Sequence, residues 1–270
     1  MEGLVFYLYM LFAFVCEYVD SSLGMGYGTI LTPLLLLSGF GPLQVVPAIL
    51  FSEFVTGVLA AIFHQRFGNV SFDFSKDEKI VSSKYRFLGY LPRSQDAKVS
   101  YVLTVLGALG VVSAVFFSLN VPKIVLKLYI GFMIFFIGAY IIFKVNRPSR
   151  FNWKSFSFIA VLSGFNKGVS GGGYGPLVTG GQVVTGRGAK NSVGSTSLAE
   201  GIICLVGFIL YLLFKGNIEW KLALPLVMGA VLSTPLSALT VKKIQERKMK
   251  LIIGLATIGL GLLTIIKTFI

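Results

Sequence analysis

The sequence predicts an all-α integral membrane protein, built as two inverted five-segment repeats with glycine-rich broken helices near the bilayer midplane. Three observations carry that expectation. Apolar runs of about membrane length recur from end to end, the chain matches itself at a fixed offset, and basic residues collect in loops on one predicted side. Of the 270 residues, 55% are hydrophobic and 13% charged, with a mean hydropathy of +0.82. That composition is at odds with a water-soluble fold, and the 31 glycines suit membrane helices, which tolerate and use them.

The first apolar run, about Leu4 to Val19, follows Met1 and Glu2. No basic region or small-residue cleavage site accompanies it, so it reads as a membrane segment and not as a signal peptide. A glycine-rich stretch leads into a short run, Thr29 to Ser38, and then a full one, Val45 to Phe63. Phe67 to Lys98 is the one sizeable polar region, with Asp73, Lys76, Asp77, Glu78, Lys79 and the Leu91-Pro92-Arg93-Ser94 break. It reads as a surface loop, with partner docking or regulation as the functional alternative. Val99 to Leu119 and Ile124 to Phe143 follow. The second half runs Phe156 to Phe165, Leu177 to Thr185, Ser192 to Phe214, Leu222 to Val241 and Leu251 to Ile266. At about 1.5 Å per residue the second, sixth and seventh runs are too short to span, which suggests half-helices or re-entrant pieces.

An offset of 147 residues pairs Gly24/Gly171, Gly26/Gly173, Tyr27/Tyr174, Gly28/Gly175, Thr32/Thr179, Gly39/Gly186, Gly41/Gly188, Val46/Val193 and Glu53/Glu200. Average composition gives roughly two or three such matches over the window. The reading is a first repeat, 1–148, containing a cytoplasmic loop at 66–98, and a second, 149–270, within a single transmembrane domain. Charge orients it. The formal net charge is +13, and eighteen of the 24 Lys and Arg fall in the loops around 66–98, 144–154, 187–190 and 242–250. Five lie on the other side, and Lys167 falls in a membrane break. The excess basicity is therefore positive-inside topology, and no segment supplies the folded basic surface that nucleic-acid binding needs. An odd number of segments per repeat inverts the second half, as in many secondary transporters.

The two breaks, Asp20 to Gly28 and Asn166 to Gly175, lie between apolar runs. Irregular backbone at that depth must be buried in protein or line a cavity. Free N–H groups at the start of the following helix, together with its dipole, make an anion site. Gly24, Gly26, Tyr27, Gly28, Gly171, Gly172, Gly173, Tyr174 and Gly175 are the candidate backbone contacts, with Ser170, Thr32 and Thr179 as hydroxyl donors. The bland alternative is close helix packing. Lys167 is the one basic residue predicted within the membrane, hence a candidate counter-charge to an anionic substrate; its alternatives are snorkelling, or pairing with Asp20 or Glu17. Glu53 and Glu200, at equivalent repeat positions, serve as coupling or loop-bracing candidates together with Asp20. His64 reads as interfacial polar surface, and Cys16 and Cys204 as packing residues without zinc or disulfide spacing. No soluble-enzyme motif, metal site or cofactor fingerprint is present, so no enzyme activity is expected.

Ser163 to Val178, with the run Gly171-Gly172-Gly173-Tyr174-Gly175-Pro176-Leu177, followed by Lys190 to Glu200, resembles the TauE/SafE permeases, the sulfite exporter family. The resemblance covers nearly the whole chain. It implies a multi-pass protein of a prokaryotic cytoplasmic membrane that exports sulfite or short organosulfonates, with Gly171 to Gly175, Pro176 and Lys167 near the pathway. The expected function is thus a secondary transporter of a small sulfur oxyanion, with an anion-selective channel or proton-coupled uptake as alternatives. An exporter could run as a uniporter, since outward movement of one negative charge gains about 2.3 kcal/mol per 100 mV. Partners are the sulfur anion and membrane lipid, and an oligomer is compatible with the uniformly apolar helix faces.

Overall fold

A computed structural model of the protein describes residues 2–74, 92–144, 153–184, 187–241 and 246–269. The middle of the expected 66–98 loop, the 148/149 repeat boundary and Lys242 with Lys243 lie outside the described residues. Among the described residues there are ten helices and no strand. We number them α1 (Glu2–Leu23), α2 (Tyr27–Leu37), α3 (Pro42–Arg66), α4 (Gln95–Asn120) and α5 (Lys123–Lys144) in the first half. The second half contains α6 (Trp153–Ser170), α7 (Tyr174–Val184), α8 (Ala189–Lys215), α9 (Trp220–Thr240) and α10 (Glu246–Phe269). Among the described residues, five stretches are long and apolar enough to cross a membrane: Leu4–Leu23, Pro42–Arg66, Gln95–Asn120, Lys190–Lys215 and Trp220–Thr240.

Local chemistry sets the ends. Pro42 opens α3, where a missing N–H costs nothing, and the Gln44 side chain accepts from the Gly41 amide at 2.8 Å. Gly216 closes α8 in the left-handed conformation, its N–H on the Leu212 carbonyl at 2.9 Å. The helix α6 is longer than its apolar run, because Asn166, Lys167 and Ser170 continue it up to the glycines. Those polar residues carry the helix into the protein interior, where their side chains have partners.

The most extensively packed helix pairs are α5 with α10, α1 with α9, α4 with α6 and α3 with α8. Exchanging the halves, α1 for α6 and so on down to α5 for α10, maps this set of pairs onto itself. Glycines allow the approach: a side chain on Gly110 would meet the backbone of Gly164 and Phe165, and one on Gly261 the backbone of Phe135. Large apolar side chains such as Leu4, Phe136, Leu213 and Phe269 point outward, as expected where lipid is the solvent.

At one end, a polar knot joins the two halves. Ser94 caps α4, its Oγ accepting from the Ala97 amide at 3.1 Å and donating to the Ser71 carbonyl at 2.5 Å. Asp96 pairs with Arg187, and its Oδ2 accepts from Asn191 Nδ2 at 2.9 Å and the Ser71 amide at 3.0 Å. Asp96→Ala takes the shared acceptor from the Arg187 guanidinium, the Asn191 side-chain amide and the Ser71 backbone amide, so it is expected to cost about 1–3 kcal/mol. The check is a lower midpoint in thermal unfolding of the detergent-solubilised protein, with Arg187→Ala giving a similar drop.

Candidate functional site

The site starts with two interruptions of the helical path. Between α1 and α2, Gly24 and Gly26 have φ of +67° and +138°; between α6 and α7, Gly171 and Gly173 have φ of +74° and +80°. These conformations favour glycine, and they fall at positions that correspond under the 147-residue offset. Each helix is closed the same way: the Gly24 amide donates to the Asp20 carbonyl at 2.5 Å, the Gly171 amide to that of Lys167 at 2.8 Å.

The two interruptions pack on each other. A Cβ on Gly172 would sit 2.6 Å from the Gly28 carbonyl carbon and the Thr29 nitrogen. One on Gly175 would meet the Gly24 carbonyl, and one on Gly28 the Gly171 carbonyl. Three of the amides here donate to side-chain oxygens. Gly173 N–H donates to Thr29 Oγ1 and Gly172 N–H to Ser170 Oγ, both at 3.0 Å, while Tyr27 N–H reaches Asp20 Oδ1 at 3.2 Å. The hydroxyls singled out in the sequence are likewise engaged: Thr32 Oγ1 donates to the Ser170 carbonyl at 2.6 Å, Ser170 Oγ to the Asn166 carbonyl at 2.7 Å, and Thr179 Oγ1 to Thr196 Oγ1 at 2.8 Å. Tyr27 shares a 2.7 Å bond with Ser52, whereas the buried hydroxyl of its counterpart Tyr174 has no hydrogen-bond partner among the described residues.

One turn before the second interruption, Lys167 is buried, 1% exposed. Its ammonium bridges Glu53 of α3 and Glu200 of α8, the repeat-equivalent pair, with Nζ to Glu200 Oε1 at 2.7 Å. Lys167 is thus paired, but with Glu53 and Glu200 and not with Asp20 or Glu17. The tight α3–α8 packing, where Gly57 touches Gly201, brings both carboxylates to one point. At the repeat offset, Lys167 corresponds to Asp20, so a cation and an anion occupy matching places in the two halves.

Glu17, Asp20, Glu53 and Glu200 line one cavity with Ser21, Thr56 and Ser197. The sequence marks Glu17 only as a possible partner of Lys167, and it does not single out Ser21, Thr56 or Ser197. A carboxylate inside an apolar run is rare enough to point to Glu17, whereas three hydroxyls carry no such signal. His64 requires a correction. It is not surface but fully buried, its Nε2 against the Ser21 carbonyl at 3.0 Å and its Nδ1 against Asn69 Nδ2 at 3.1 Å. The last turn of α3 lies against the end of α1, which supplies that carbonyl. Cys16 and Cys204 are buried free thiols, and Cys204 Sγ lies 3.8 Å from Glu53 Oε2.

A buried ion cluster beside two mutually packed helix interruptions fits a transport protein, and comparison with known sequences agrees. The sequence profile described as Sulfite exporter TauE/SafE matches residues 9–76 and 80–264. The chain belongs to this family. It is also 24% identical over 277 residues to the probable membrane transporter protein YtnM of Bacillus subtilis (strain 168), an alignment covering 97% of this chain and 84% of that protein. No solved structure matches the chain. This TauE/SafE protein is thus a multi-pass membrane transporter.

Proposed function

We propose that this protein is a secondary transporter that moves a small sulfur oxyanion, sulfite or a short organosulfonate, outward across the cytoplasmic membrane of a prokaryotic cell. The observation that carries the reading is the contact between the two glycine interruptions, one helical turn from the buried Lys167. Two inverted repeats, 1–148 and 149–270, would meet there near the bilayer midplane, and rocking one repeat against the other opens the site to alternate sides. The symmetric helix pairing and the matched positive-φ glycines support that architecture.

The amides of Gly172 and Gly173 donate to the hydroxyl oxygens of Ser170 and Thr29. An oxyanion has the same acceptor chemistry and a full charge, so it can replace those hydroxyls when the interruptions separate. Gly24, Gly26, Gly28, Gly171 and Gly175 keep the backbone accessible to it, with Tyr27, Tyr174, Thr32 and Thr179 around it and Lys167 as its counter-charge. The test is radiolabelled sulfite flux in liposomes containing the purified protein. Flux that saturates and shows counterflow is expected. Non-saturating conductive flux would indicate a channel, and absence of flux for both sulfite and short organosulfonates removes the substrate assignment.

A further inference from the structure

The carboxyl groups around Lys167 outnumber the cations. Facing Glu53 are Lys167 from α6, Glu200 and Cys204 from α8, Glu17 and Asp20 from α1, and Tyr27 from α2. The helix α9 also packs on α3 and has no ionisable residue between Leu222 and Thr240. Among the described residues, four carboxyl groups therefore cluster around one ammonium, which is paired with two of them. Two of them are incompletely satisfied: Glu17 Oε2 and Glu53 Oε1 are buried without a hydrogen-bond partner there, on side chains that line the same cavity. A buried carboxylate oxygen without a hydrogen-bond partner is costly, and protonation lowers that cost by removing the charge. Among the described residues no three His, Cys, Asp or Glu side chains are grouped to hold a metal ion, whereas a proton needs a single carboxyl oxygen.

We propose that this cavity is a proton-binding chamber, and that the transported anion competes with Glu53 for the ammonium of Lys167, so that each anion bound places one proton on Glu53. The proposal rests on the anion-transport reading above. Adding an anion to a buried cluster already rich in carboxylates is unfavourable unless a positive charge enters with it. When the anion takes over the ammonium, the Glu53 carboxylate is released and accepts a proton from the water-accessible side; when the anion leaves, Glu53 gives up that proton to the side then open and pairs again with Lys167. The charge of the cluster is the same at both ends of the cycle. Transport is consequently an electroneutral anion–proton symport, reversible, with its net direction set by the product of the two gradients and not by membrane potential. Glu17, which lines the same cavity with Ser21 donating to its Oε1 at 2.5 Å, holds a resident proton and passes protons toward Glu53.

The experiment uses ethanesulfonate, which carries no proton of its own, in liposomes loaded with a pH-sensitive dye and clamped in potential with potassium and valinomycin. Wild-type protein is expected to acidify the lumen by one proton per anion taken up, at a rate indifferent to the clamped potential. A gradient of one pH unit is expected to sustain about a tenfold accumulation. In Glu53→Gln, which imitates the protonated state, any anion flux that remains is expected to run without acidification and to respond to the clamped potential. Wild-type anion flux without acidification, or flux that follows a sodium gradient, overturns the proposal. If neither ethanesulfonate nor sulfite crosses, the transport reading fails, and infrared spectroscopy of the purified protein judges the chamber alone. A protonated-carboxyl band at neutral pH that weakens in Glu17→Gln supports it, and the lack of any such band rejects it.

Discussion

Replacing Lys167 by methionine is expected to be the most damaging single change in the membrane core. The side chain keeps its volume but loses its charge, so Glu53 and Glu200 are left facing each other without a cation. Removing one partner from a buried ion pair typically costs about 3–5 kcal/mol, because the remaining charge stays buried. The expected result is a large loss of folded protein in size-exclusion profiles, a sharply lower unfolding midpoint and no anion flux. Neutralising the partners separates the two roles of the lysine. The triple variant with Glu53→Gln and Glu200→Gln alongside Lys167→Met should recover most of the lost stability, since no uncompensated charge remains on those three side chains, yet stay inactive in flux assays. Recovery of flux in the triple variant would show that the ammonium is structural only.

Gly172→Ala is the second severe change, and here the cause is steric. One methyl group would stand 2.6 Å from backbone atoms of Gly28 and Thr29, and a backbone cannot swing aside as a side chain does. Overpacking of this kind costs about 1–3 kcal/mol where neighbours can adjust; at a backbone contact we expect the upper end of that range. The interruptions must then separate, which should abolish saturable transport even in the fraction that folds. Gly68→Ala is the matched control. Gly68 has φ +70° but nothing within 4 Å of an added Cβ, so its cost is conformational only, about 1–2 kcal/mol. Thermal midpoints and flux for the two variants test this: Gly68→Ala should lose stability with transport retained, and Gly172→Ala should lose both.

Much of the helical plan is legible in the amino-acid sequence, because lipid makes composition speak directly. A run such as Val45 to Phe63 can satisfy its backbone in an apolar solvent only as a helix, and α3 occupies it with a few further residues at each end. The glycines at 24, 26, 171 and 173 stand out as pairs, and all four adopt positive φ. Boundaries are less legible where polar residues prolong a helix. The α6 segment reaches Ser170 because Asn166 meets Tyr129 Oη at 2.5 Å and Lys167 meets two carboxylates, partners that no local pattern reveals. His64 reads as surface for the same reason: its acceptor and donor come from Ser21, on another helix, and from Asn69, beyond the end of its own.

Residue order alone establishes that this chain is a helical membrane protein, where most of its helices run, which glycines interrupt the path and that it resembles the TauE/SafE permeases. These follow from properties of neighbouring residues: hydropathy over a bilayer's length, glycine at closely spaced sites, and a spacing that recurs. Packing in three dimensions was needed to join Lys167 to Glu53 and Glu200, to bring Glu17 and Asp20 into their cavity, and to close the two interruptions on each other. Those contacts link residues far apart in the chain, chosen by which helix faces meet. A buried charge announces in sequence that it needs a partner, but the identity of that partner depends on the packing of α3 against α8, and so does any chemistry the cluster performs.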